Sequence, residues 1–140
     1  MQPHPYIRAY LAGIGVPSIL LVASFTAFCF VRFGYHVSFP IERFMVFPLA
    51  LVPPMWGLWN MLYVFTSPHP KLPVGVHGAL LPLLVLPAAV IIAFRLGLGL
   101  PSFVPTVFAL AMPVVVVFYY LLWTYAVGFL NELLGVGARR

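Results

Sequence analysis

The stretch PLALVPPMWGLWNMLYVF, Pro48 to Phe65, decides how the chain is read. It sets three prolines, two tryptophans and one asparagine among apolar residues and carries no charge. In water Pro53-Pro54 would argue against a helix, because each proline removes a backbone donor and crowds the carbonyl one turn back. In hydrocarbon only a helix or a closed barrel satisfies its own backbone, and prolines survive there when neighbouring helices or hydroxyls serve the freed carbonyls. The stretch is therefore predicted to be a proline-kinked transmembrane helix. Asn60 is its most informative residue. An unpaired amide in hydrocarbon costs about 4–8 kcal/mol on a cyclohexane reference. Asn60 is thus expected to face another helix and to bond a backbone carbonyl, or a hydroxyl such as that of Tyr120 or Thr124.

Composition carries the same reading to the whole chain. The 140 residues have a mean hydropathy of +1.10, with 64% hydrophobic and only 6% charged residues. A soluble domain carries about 25% charge, so too few polar side chains exist here to cover a water-facing surface. The net charge of +5 comes from seven Lys and Arg against two acidic residues. These are scattered and form no stripe for counterion release, which excludes nucleic acid as a partner. Cys29 is the sole cysteine, so no intrachain disulfide or thiol relay is available.

Runs free of charge and histidine extend from Ala9 to Val31, Phe44 to Pro68, Gly78 to Phe94 and Leu96 to Asn131. A bilayer core needs about 20 apolar residues per helix. The prediction is an all-α integral membrane protein with one domain over 1–140. Its four transmembrane helices, near 8–32, 43–66, 76–96 and 105–131, form a proline-kinked antiparallel bundle. The first span is read as retained, since its apolar core exceeds the roughly 7–15 residues of a signal peptide and no small-x-small cleavage site follows. Four spans place both termini on the side of the loop 66–75. That side holds Arg8, Lys71, Arg139 and Arg140, and the other holds Arg32, Arg43 and Arg95. By the positive-inside rule the termini are cytoplasmic, and the membrane is read as a prokaryotic inner membrane.

Seven of the 15 prolines fall inside these spans, at residues 17, 48, 53, 54, 82, 87 and 113. They are read as bends that shape the bundle, with hinges or an unwound binding segment as the functional alternative. Arg32-Phe-Gly34 is echoed by Arg95-Leu-Gly97, and Pro40, Pro48 and Trp59 by Pro105, Pro113 and Trp123, at offsets of 63, 65, 65 and 64. This suggests two helical-hairpin repeats.

No Asp, Glu, Lys or Arg lies mid-span, which counts against proton-coupled antiport and voltage sensing. The polar residues that remain are few. Trp56, Trp59, Asn60 and Tyr63 fall within about 100° of one another on a helix, and Tyr120, Thr124 and Asn131 share a face at constant helical pitch. His77 opens the third span on the same side. Asn60, Tyr63, His77, Tyr120 and Thr124 are therefore the candidate ligand-binding residues. The bland alternative is interhelical glue, with bonds worth about 0.6–2 kcal/mol each, or an interfacial aromatic belt. A bis-histidine haem needs two facing helical ligands, and of His4, His36, His69 and His77 only the last falls on a predicted span. Ser18, Ser24 and Ser102 have no local base. No catalytic residue, metal or cofactor is expected. Small pairs at helical spacing, Ala9 with Gly13 and Ala23 with Ala27, mark the first span as a close-packing partner.

The functional expectation is a non-catalytic small polytopic membrane protein. It would act as a subunit or accessory of a membrane complex, or as a homo-oligomer, with the lipid bilayer and another membrane protein as partners. The alternative is a small oligomeric transporter or channel.

Overall fold

A computed structural model describes residues 4–36, 49–66, 72–95, 97 and 102–136. Expectations resting on Pro3, Pro40, Glu42, Arg43, Pro48, Pro68, His69, Pro70, Lys71, Pro101, Arg139 and Arg140 lie outside those residues. Among the described residues all regular structure is helical. Helix α1 is Pro5–Gly34; a 3-10 turn, Leu49–Leu51, leads into α2, Val52–Thr66; α3 is Val74–Arg95. Then come α4, Val104–Leu122, a π-helical turn, Trp123–Val127, and α5, Gly128–Leu133, which continue one another as a single rod. Among the described residues three helices are long and apolar enough to cross a membrane: Pro5–Gly34, Val74–Ile92 and Pro105–Leu133. The predicted span 43–66 is described only from Leu49, and α2 itself has 15 residues.

Two of the three prolines of the opening stretch fall at the start, not the middle, of a described helix. Pro53 and Pro54 stand in the first turn of α2, directly after the 3-10 turn. There the amide hydrogens they lack would have had no intrahelical partner, so their loss costs little. Pro5 and Pro105 open α1 and α4 in the same way. Pro17, Pro82, Pro87 and Pro113 do lie inside helices. Pro17 and Pro82 are buried, whereas Pro87 and Pro113 are exposed.

The chain divides into two compact units, residues 1–69 with 130–140, and residues 70–129. In the first, α1 and α2 run antiparallel. Ala9, Ala12, Gly13 and Pro17 of α1 are buried, as are Pro53, Trp56, Gly57 and Asn60 of α2. The helices approach at glycine: a Cβ on Gly13 would stand 2.6 Å from the Trp56 carbonyl oxygen and 2.8 Å from Gly57 Cα. This is the close approach that small residues permit. The pair Ala9 and Gly13 builds the seam as predicted. The pair Ala23 and Ala27 is exposed, whereas the buried residues of α1 lie between Ala9 and Pro17.

The end of the last rod belongs to this unit. It closes with a glycine cap in which Gly135 takes φ 66°. The Val136 N–H donates to the Asn131 carbonyl at 2.7 Å and the Gly135 N–H to that of Glu132 at 3.0 Å. These two bonds form a Schellman motif, which requires a left-handed residue at Gly135. Gly135→Ala is expected to cost about 1 kcal/mol, read as a lowered unfolding midpoint in detergent.

In the second unit α3 and α4 run antiparallel, again with glycine at the seam. A Cβ on Gly78 would overlap the Trp123 side chain, and one on Gly75 would overlap Thr124 Oγ1. Trp123 and Val127 are fully buried. The two units thus share a pattern beyond the echoes visible in sequence. Gly13-x3-Pro17 and Gly78-x3-Pro82 are 65 residues apart, and all four residues are buried. The tryptophan pairing changes, however. Trp59 is only half-buried, so the packing counterpart of Trp123 is Trp56, at an offset of 67. The common offset therefore does not extend through the second helix of each hairpin.

Candidate functional site

The most developed polar arrangement is a pair of asparagine side chains. Asn60 lies one turn beyond Trp56 on the buried face of α2, and Asn131 opens the capped end of the last rod. The Asn60 Nδ2 donates to the Ala9 carbonyl oxygen of α1 at 2.7 Å and to Asn131 Oδ1 at 2.7 Å. The Asn131 Nδ2 returns a bond to Asn60 Oδ1 at 3.1 Å. The two amides form a reciprocal ring, and the Ala9 carbonyl fixes its orientation. A carbonyl can only accept, so the amino group of Asn60 must point at Ala9, and this sets which end of Asn131 meets which end of Asn60.

Asn60 is 0% exposed and Asn131 6%. Both hydrogens of the Asn60 amide are used. Beside the pair, the Arg8 guanidinium donates to the Leu134 carbonyl at 3.3 Å. The last turn is thereby tied to α1 by one side chain and to α2 by another. Chemically the pair is neutral and supplies no base or nucleophile. What it can do is hold three chain segments together.

The five candidate ligand-binding residues are distributed as follows. Asn60 and Tyr63 belong to the first unit and His77, Tyr120 and Thr124 to the second. Tyr63 is half-buried. In the second unit His77 is buried near the start of α3, with its ring centroid 6.2 Å from that of Trp123. Its backbone N–H donates to the Pro73 carbonyl. The Thr124 hydroxyl turns back along its own helix and donates to the Tyr120 carbonyl at 2.8 Å. Tyr120 is exposed. Neither Tyr120 nor Thr124 is therefore the partner of Asn60. That role goes to Ala9 and to Asn131, which sequence reasoning had grouped with Tyr120 and Thr124 on one face. The π-turn Trp123–Val127, which contains Thr124 and lies between Tyr120 and Asn131, breaks the constant pitch on which that grouping rested. Among the described residues no three His, Cys, Asp or Glu side chains gather at one place. No protein-family model, curated protein or solved structure matches the chain.

Proposed function

We propose that the chain is an integral membrane protein of four spans, the second covering 43–66, that acts without catalysis. In this reading it is a packing subunit or accessory of a membrane complex, or a homo-oligomer. The observation that supports it is the inverted placement of polar and apolar groups. The amides of Asn60 and Asn131 are buried and paired, while Ile19, Leu110 and Val114 are each more than 70% exposed. Lipid is the solvent that suits such an exterior. The buried amides are taken up by the protein itself, which favours the structural role over the ligand site. In mild detergent the purified protein is expected to run at a multiple of its 15.5 kDa mass or with a membrane-protein partner. A lone monomer, with no partner recovered from its native membrane, would remove this reading. Fluorescent-protein fusions to both termini are expected to light up, as cytoplasmic ends in a prokaryotic inner membrane require.

The second reading is a small oligomeric transporter or channel. It is favoured by the paired Gly-x3-Pro elements at Gly13-Pro17 and Gly78-Pro82, since hairpin duplication with matched helix breaks recurs in carriers. A structure of the protein in a lipid nanodisc decides between the two. A water-filled cavity at a subunit interface supports the carrier, and a dry, fully packed interface supports the packing subunit.

A further inference from the structure

One face of α1 is buried along the first half of the helix and bare along the second. At about 100° per residue, Ala9, Gly13 and Pro17 lie within a sector of about 80°, and Leu20, Ala27 and Val31 fall in the same sector. The first three are buried. Leu20 is 48% exposed, Val31 is 39% exposed, and Ala27 is exposed as well. The partner of the buried half is α2. Asn60 bonds the Ala9 carbonyl, and Gly13 stands against Trp56 and Gly57. Each step back along α2 thus meets a step forward along α1. That register sets Leu49, where the described 3-10 turn begins, near the level of Leu21. From Leu21, α1 runs on to Gly34 for about 20 Å. Fourteen residues lie between Gly34 and Leu49. They leave α1 at its far end and must come back over those 20 Å or so to reach Leu49.

We infer that the occupant of the bare face is residues 37–48 of the same chain, which cover Leu20, Ser24, Ala27 and Val31 and carry the seam begun at Ala9 along the length of α1. The inference rests on the proposed second span, 43–66. The length fits. Fourteen residues less a turn of about four leave about ten, which return about 15 Å at helical rise, the turn making up the rest. The shapes fit too. Phe44, Met45, Val46 and Phe47 are large and apolar, and the face they would meet holds Ser24 and Ala27 with Ala23 at its edge. Small residues on one helix are what let another approach closely in a bilayer. A second copy is the competing occupant. The tethered segment has the advantage, because it passes along α1 in any case and docks as an intramolecular event at high effective concentration.

Carried on at the same register, Val46 falls opposite Ser24 and Glu42 opposite Ala27. Two cysteine pairs test this in a Cys29→Ala background: Ser24→Cys with Val46→Cys, and Ala27→Cys with Glu42→Cys. Each is oxidised in lipid nanodiscs. A disulfide needs Cα atoms within about 7 Å, so both pairs are expected to lose their two free thiols to an internal bridge, in a chain that still runs as a monomer on a denaturing gel. Phe25→Cys with Val46→Cys is the control. Phe25 lies on the far side of α1 and is 49% exposed, so this pair is expected to keep both thiols. An interchain dimer through position 24 or 27 would assign the face to a second copy and overturn the inference. It is overturned equally if neither test pair bridges, or if the control bridges as readily. The terminal fusions read the span separately. With both ends lit and no bridge, the span stands and the packing falls, whereas a dark end removes the span itself.

Discussion

Gly13→Ala and Gly78→Ala are each expected to destabilise the protein by about 3 kcal/mol or more, at the upper end of what overpacking a core costs. At Gly13 the new methyl meets backbone, the Trp56 carbonyl oxygen at 2.6 Å and Gly57 Cα at 2.8 Å, so no rotamer change relieves it. At Gly78 it meets Trp123, a large side chain with no exposed surface and no room to turn. In both cases the helices must separate. Lipid tails are as apolar as leucine, so helix association in a bilayer rests on van der Waals contact and interhelical hydrogen bonds. Dispersion contacts fade over a gap of about 1 Å. The separation therefore weakens the whole seam rather than one contact. Gly34→Ala is the matched control, since its methyl would meet nothing closer than Phe30 at 3.8 Å. Helix propensity there favours alanine by up to about 1 kcal/mol. Unfolding midpoints in a denaturing-detergent titration check the series. A Gly78→Ala protein as stable as Gly34→Ala would mean that Trp123 does not sit where the seam is described.

The helical character of the chain was legible because long uncharged runs leave no other way to satisfy a backbone. The seam of the first hairpin was half legible. Ala9 with Gly13 and Ala23 with Ala27 have the same spacing, and only contact with α2 distinguishes them. Spacing reports which residues share a face and carries no information on how far along the helix a partner reaches. At Pro53-Pro54 the sequence reading placed a kink, and the described helix begins there, directly after a 3-10 turn. A proline pair in an apolar run marks a helix start as readily as a kink, and the boundary between 3-10 turn and helix has no hydropathy signal. The buried state of Asn60 followed from the cost of an unpaired amide, which holds whatever the neighbour is. Its partner Asn131 did not follow. The face containing Tyr120, Thr124 and Asn131 was drawn at constant pitch, and one π-turn shifts every residue beyond it by about 100° relative to those before it. A second signal lay unread in the sequence. Gly13-x3-Pro17 and Gly78-x3-Pro82 stand at the same offset of 65 as the proline echoes, and they carry the seams of both hairpins.

Asn60→Leu and Asn131→Leu are each expected to cost about 2–3 kcal/mol, and the double variant clearly less than their sum. The reason is the asymmetry between losing a hydrogen bond and stranding its partner. An interhelical bond in a membrane contributes about 0.6–2 kcal/mol. A buried polar group left without a partner costs a further 1–3 kcal/mol or so. Asn60→Leu removes three bonds and strands the amide of Asn131, which is buried. Asn131→Leu removes two and leaves Asn60 only its bond to Ala9. In the double variant no side-chain amide is stranded and leucine fills a similar volume on both sides. A coupling of about 1–2 kcal/mol should therefore appear in the double-mutant cycle. Asn60→Asp is expected to be worse than Asn60→Leu, because its carboxylate would oppose the Ala9 carbonyl oxygen with another acceptor and bring an unpaired charge into the seam. Additive single effects would mean that the two amides do not meet. Asn60→Leu at full stability would return Asn60 to the list of residues held for a ligand, and the structural reading of the pair would then fail at its centre.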